Sequence, residues 1–189
     1  MSELAAPEPE RARPVAESAP LSPQPHAIVA PFKVEVVSAH VVFSAKTVAF
    51  DLEIDLINQH MRVAEGLRPA LALISASPDQ DRWRAAFHAG PSTQNEGKPV
   101  DLAAGATLRL PVRLTLHREQ LHVVVHGGRP MFVAMLLCDL RWRGGLSLHH
   151  FAADFLLGTA GQGTLPGPIW LDRAAPSTVA AIDYAPLGP

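Results

Sequence analysis

The sequence predicts an all-β protein, an immunoglobulin-like antiparallel β-sandwich of seven to nine strands behind a disordered N-terminal leader. Apolar and polar residues alternate with a period of two in several segments, most clearly in residues 48–56. Turn-forming residues separate these segments, and no regular exchange of strands with helices occurs. Residues 1–31 contain seven prolines and can neither sustain a helix nor bury a core.

Two long segments show the alternation best. In residues 48–56 the large apolar residues alternate with Asp51, Glu53 and Asp55, so the three acids share one face of a strand. A helix would scatter those acids around its circumference. Residues 108–116 follow the same rule. Pro111 has no N–H to donate and therefore predicts that this second strand lies at a sheet edge.

Other segments with shorter or less regular alternation are also expected to form strands. The further expected strands are 26–29, 33–37 and 40–43 (one bent strand or two short ones), 67–74 and 121–125. The long connection 77–101 is less regular, and residues 81–88 predict a short helix within it, with Asp79 or Asp81 as its N-terminal cap.

The clearest hairpin is predicted where residues 131–143 and 146–157 flank Gly144-Gly145, because two-residue hairpin turns need a positive φ. A tight turn there places Asp139 opposite His150. One face of the hairpin is expected to be core: Phe132, Ala134, Leu136, Cys138, Leu140, Trp142, Ser147, His149, Phe151, Ala153, Phe155 and Leu157.

The opposite face of this hairpin is unusually apolar for a sheet that meets water, so a covering element is expected. Two alternatives stay open: the C-terminal segment 165–171 folds back over it with Trp170, or a partner protein, a second copy or a membrane-linked protein docks there. The candidate interaction surface comprises Met131, Val133, Met135, Leu137, Leu148, Ala152, Leu156 and Trp170.

No catalytic, cofactor-binding or metal-binding motif is predicted. His122 and His126 are four apart in an expected strand, hence about 13 Å from each other, which is too far to share one ion. Asp139 and His150 are interpreted as a hydrogen-bonded polar pair on a sheet face. Cys138 is the only cysteine, which excludes an intrachain disulfide and multi-cysteine metal cages, and it is interpreted as a small buried apolar residue.

Charge and hydropathy narrow the classes of partner. The formal net charge of -2 gives no field that would gather nucleic acid or anionic lipid. The longest apolar run, residues 131–138, is far shorter than the roughly 20 residues that a membrane helix needs. The first residues lack the bases and apolar core of an export signal. We therefore expect no nucleic-acid binding, no direct membrane insertion and a cytoplasmic location by default.

Residues 48–74 combine a long alternating strand, a turn containing Asn58 and a further strand beginning near Leu67. This arrangement resembles the opening of bacterial immunoglobulin-like domains of the CARDB type, although Gln59-His60 stands where that turn carries glycine. The segments 129–133, 140–143 and 169–172 resemble a group of uncharacterised bacterial proteins in which such a sandwich follows a proline-rich spacer and a membrane anchor. The resemblance spans residues 32–173 and implies a cell-envelope location, but no catalytic residues.

The expected organisation is a leader (1–31), a β-sandwich domain (32–173) and an extended C-terminal tail (174–189). The preferred function is a non-catalytic module for protein interaction or structure, without cofactors, acting on a protein partner or by self-association. The alternative is a histidine-based metal-binding protein or metal-dependent hydrolase that brings together His122, His126, His150 and Asp139. A small-ligand carrier is disfavoured because its core positions are ordinary Leu, Val and Phe.

Overall fold

The computed structural model describes residues 30–90, 98–161 and 165–185. In these ranges the chain is mostly β, with three antiparallel sheets and one α-helix, which confirms the all-β prediction. The leader up to residue 29, including the strand expected at 26–29, lies outside the described residues. No helix in the described ranges is long and apolar enough to cross a membrane.

The strands follow the alternating segments of the sequence. In chain order they are β1 (Phe32–Phe43), β2 (Thr47–Asn58), β3 (Ala64–Ser75), β4 (Val100–Leu102), β5 (Thr107–His117), β6 (Val124–His126), β7 (Arg129–Phe132), β8 (Ala134–Gly144), β9 (Ser147–Gly158), β10 (Ile169–Trp170) and β11 (Ala180–Asp183). Helix α1 (Gln80–Ala89) lies between β3 and β4, and a short 3-10 helix, Arg118–Gln120, follows β5.

The first sheet has the order β1-β2-β5. β1 is one bent strand, because its register against β2 shifts between Val36 and Ser38. β5 forms the sheet edge that Pro111 predicts, with Pro111 opposite Glu53. The apolar residues of β2 point into the core and its three acids point away from it, as the alternation predicts.

The second sheet has the order β11-β9-β8-β3-β4 and contains the predicted hairpin. Gly144 pairs with Ser147, so the turn is Gly145-Leu146 rather than Gly144-Gly145, with Gly145 at φ +65°. The shift moves pairs by two residues, which leaves every side chain on its predicted face. Arg141, and not Asp139, therefore lies directly opposite His150.

One continuous apolar core lies between these two sheets. Phe32 of β1 meets Trp142 of β8 edge to face, with ring centroids 4.8 Å apart. The core face predicted for β8 is buried along its length, and Cys138 is fully buried within it. Burial raises the pKa of the Cys138 thiol, and the nearby carboxylates of Asp139 and Asp154 raise it further. Cys138 is therefore a packing residue and not a nucleophile at neutral pH.

The third sheet has the order β10-β7-β6. Its strand β10 belongs to the segment 165–171, which the sequence predicts over the outer face of the hairpin. Trp170 pairs with Met131, and the guanidinium groups of Arg129 and Arg173 lie 4.7 Å and 5.5 Å from the centre of its ring. The body also extends past the expected boundary at residue 173, because β11 pairs with β9.

On the outer face of the first sheet, Arg109 binds Asp55 through two nitrogens. Nε and Nη2 of Arg109 donate to the two carboxylate oxygens at 2.8 Å and 2.7 Å. These hydrogen bonds hold the pKa of Asp55 below its usual value; partial burial opposes them and the charge of Arg109 assists them. Stability from this pair is complete above the unfolded pKa of about 3.9 and is lost as pH falls through the lower folded pKa.

We expect Asp55→Asn to flatten the acid end of the stability profile. The variant should lose stability at pH 7 yet lose less than the wild type between pH 5 and pH 3, because its amide cannot be protonated there. Urea unfolding at several pH values measures this. Asp51→Asn is the matched control, since Asp51 meets Arg113 through one nitrogen at 3.6 Å. Parallel profiles for Asp55→Asn and wild type would contradict the assignment.

Candidate functional site

The predicted interaction surface is not one exposed surface. Met135 and Leu137 are fully buried, with 0% and 1% of their surface exposed. Met131, Val133, Leu156 and Trp170 are half-buried. Leu148, 73% exposed, and Ala152 are exposed and lie further along the hairpin. The expectation that this face is covered therefore holds at its centre, where Met135 and Leu137 are not available to a docking partner.

Helix α1, and not segment 165–171, covers this face. Its residues reach the polar side chains that share the face with Met135 and Leu137. Arg84 and His88 of α1 both contact Asp154 of β9, and Arg141 of β8 donates to the carbonyl oxygen of Gly90 at 2.6 Å. No residue of the helix is fully buried, and ion pairs and hydrogen bonds attach it to the sheet.

Asp154 is the central anchor of the helix. Its side chain is 3% exposed, and its two oxygens meet Nη1 of Arg84 at 3.2 Å and Nε2 of His88 at 2.9 Å. A carboxylate can only accept, so Nε2 of His88 carries the proton of that hydrogen bond. Tyr184, which follows β11, attaches the helix at a second point. Its hydroxyl donates to Asp81 at 3.0 Å and accepts from Gln80 at 3.0 Å.

Beside this anchor, three potential metal ligands come together from three elements: His88 of α1, Asp139 of β8 and His150 of β9. One ligand atom from each lies within 4.8 Å of the others. Nε2 of His150 is 2.9 Å from Oδ1 of Asp139, the diagonal neighbour across the hairpin. Arg141 donates to Oδ2 of Asp139 at 3.0 Å. Asp139 is fully buried, whereas the His150 side chain is 46% exposed.

Two buried atoms of this cluster have no hydrogen-bond partner among the residues that the structure describes: Oδ1 of Asp139 and Nδ1 of His88. The imidazole of His150 is close to Oδ1, but its geometry is not that of a hydrogen bond. An unsatisfied buried polar atom costs about 1–3 kcal/mol. Two such atoms in one cluster mark it as a candidate binding site rather than a completed polar network.

The alternative ligand set of the sequence is brought together only in part. Asp139 and His150 do come into contact, although as diagonal neighbours and without the expected hydrogen bond, whereas His122 and His126 do not belong to the cluster. His88 was missed because it lies about 50 residues earlier in the chain, on a helix. A signal was present: Arg84 and His88 are spaced i and i+4, which places both on one helical face toward a shared acid.

A second feature is a groove of about 1170 Å³ between β3, β5 and α1. Its walls are about half apolar and half polar, and the apolar part includes Leu73, Ile74, Trp83, Phe87 and Leu114. β4 pairs with β3 only at Ala64 and Leu67. Beyond this point no strand of the described chain pairs with β3 on the groove side, so residues 70–75 offer an open strand edge.

Comparisons with known proteins return no match: no family model, no curated protein and no solved structure is similar to this chain.

Proposed function

We propose that this chain is a non-catalytic immunoglobulin-like β-sandwich that binds an extended segment of a partner protein in the groove between β3, β5 and α1. The sandwich is supported by the single core shared by the two larger sheets and by the CARDB-like pattern of residues 48–74. The observation that carries the binding function is the open edge of β3 at residues 70–75.

The two sheet edges beside the groove differ in composition. β5 carries Arg109, Pro111 and Arg113, which are the charged and proline residues that proteins use to protect an edge from pairing. Residues 70–75 of β3 read Ala-Leu-Ala-Leu-Ile-Ser and contain no such residue. An apolar, unguarded edge in a groove is typical of a site where another strand is added.

The groove walls fit an extended occupant. Leu73 and Ile74 are half-buried on the strand itself, and Phe87 lies on the wall that α1 forms. Trp83 is 54% exposed at the groove although it is a large aromatic residue. Because a strand projects alternate side chains to opposite sides, we expect the occupant to carry apolar residues at every second position. Trp83 is the expected energetic anchor.

Peptide selection tests this proposal. A displayed library of random ten-residue peptides is selected on the full chain, and enriched peptides are titrated against it by fluorescence anisotropy. We expect peptides with alternating apolar residues, and at least ~10-fold weaker binding to Leu73→Lys and Trp83→Ala, since each removes an anchor of more than about 1 kcal/mol. Val125→Lys, on the exposed strand β6, is the control and should bind normally.

Two results would overturn the assignment. One is the absence of enriched peptides, or binding that neither groove variant weakens. The other is a dimer in size-exclusion chromatography with light scattering that Leu73→Lys dissociates, because the edge would then serve a second copy of the chain.

A further inference from the structure

We propose that His88, Asp139 and His150 form a binding site for a divalent transition-metal ion, with zinc as the expected metal. The site lies under the last turn of α1, on the face of the second sheet that points away from the core. Two imidazole nitrogens and one carboxylate oxygen form a donor set that suits zinc and leaves one coordination position open.

The spacing of the three side chains fits a small adjustment around one ion. Ligand atoms at bonds of about 2.1 Å in a tetrahedral site lie roughly 3.4 Å apart. Here the atoms are within 4.8 Å of one another. Asp139 is fully buried and the His88 side chain only 12% exposed, so these two are fixed, whereas the half-exposed His150 can rotate to close the site.

The unpartnered atoms supply an independent observation. Within the described part of the chain, Oδ1 of Asp139 accepts no hydrogen bond and Nδ1 of His88 has no hydrogen-bond partner, although both atoms are buried. Since Asp154 occupies Nε2 of His88, Nδ1 is the nitrogen that remains with a free lone pair. The lone pairs on Oδ1 of Asp139 and Nδ1 of His88 each need a cation or a proton donor. A single metal ion, with His150 as its third ligand, would bind both atoms.

The neighbouring residues form the outer shell that metal sites require. Asp154 accepts from Nε2 of His88, which fixes the tautomer and the ring orientation. Arg141 holds Oδ2 of Asp139 and leaves Oδ1 for the ion. The guanidinium groups of Arg84 and Arg141 also repel a cation, so we expect micromolar rather than nanomolar affinity.

Metal titration of the full chain tests the site. Chelator-stripped protein is titrated with Zn²⁺ by calorimetry and with Co²⁺ by visible absorption. We expect one ion per chain and a cobalt spectrum of a four-coordinate nitrogen and oxygen site. His88→Ala and His150→Ala should each weaken Zn²⁺ binding by more than about 100-fold, and Asp154→Asn by about 10- to 100-fold.

The control is His126→Ala, an exposed histidine on β6 outside the cluster, which should bind as the wild type does. Circular dichroism establishes that each variant is folded, and His150→Ala keeps the test informative because that side chain is half-exposed. Substoichiometric binding to wild type, or equal affinity in the His88→Ala, His150→Ala and His126→Ala variants, would overturn the proposal.

Discussion

Met135→Asp is expected to unfold the protein, although Met135 belongs to the face that the sequence marks for interaction. The residue is fully buried on the face of the second sheet that points away from the core. Removing a large buried side chain costs about 2–5 kcal/mol. An unpaired buried carboxylate adds several kcal/mol more, and the total rivals the whole stability of a domain, about 5–15 kcal/mol. Urea unfolding and near-ultraviolet circular dichroism measure the loss.

Leu148→Asp is the matched control on the same hairpin. Leu148 is 73% exposed, so the same new charge stays in water and should change the free energy of unfolding by less than about 0.5 kcal/mol. A Met135→Asp protein that remains folded, with native stability, would show that α1 leaves this face in solution and that Met135 is exposed there.

Asn58→Asp should give the second large loss. Nδ2 of Asn58 lies within 2.9–3.1 Å of the carbonyl oxygens of Arg62, Leu102 and Ala103, while Oδ1 accepts from the backbone N–H of His60 at 2.9 Å. The side chain is fully buried. It connects the end of β2 to the loop before β3, at Arg62, and to the end of β4, at Leu102 and Ala103. A carboxylate there has no donor to offer and faces three carbonyls, at a cost of about 3 kcal/mol or more at pH 7.

Gln59→Glu provides the comparison, because it makes the same amide-to-acid change at the next, exposed residue. Its midpoint in urea should stay near that of the wild type. If Asn58→Asp and Gln59→Glu shifted the midpoint equally, Asn58 would not be the buried hub that its contacts indicate.

Much of the fold is predictable because burial on one side imposes a period of two. The acids of β2, Pro111 at the edge of β5, and the core face of β8 all follow from that rule. The pairing of strands that are distant in sequence is harder to predict, because alternation shows which face of a strand is buried but not which other strand lies beside that strand. β11 was missed because its four residues are too short to display a period.

The site is predictable only in part for a similar reason. Asp139 and His150 lie on one hairpin, so counting from the turn brings them within two residues of their real register. The covering of the outer face depends instead on α1, whose attachment comes from ion pairs between separate segments. The apolar residues of α1, Trp83, Ala86 and Phe87, line the groove, so the apolar pattern of the helix does not indicate the polar contacts that attach it to the outer face.

The β8–β9 hairpin has a two-residue turn. Its other neighbour, β3, is distant in the chain: Ser75 at the end of β3 pairs with Ala134 at the start of β8, and 58 residues (76–133) lie between them. Local hairpins form within microseconds, but pairings between distant segments are slow because loop closure must come first. During that delay β8 shows apolar side chains on both faces to the solvent. Refolding at high protein concentration should therefore lose material to aggregation at this early step, and dilution should restore the yield.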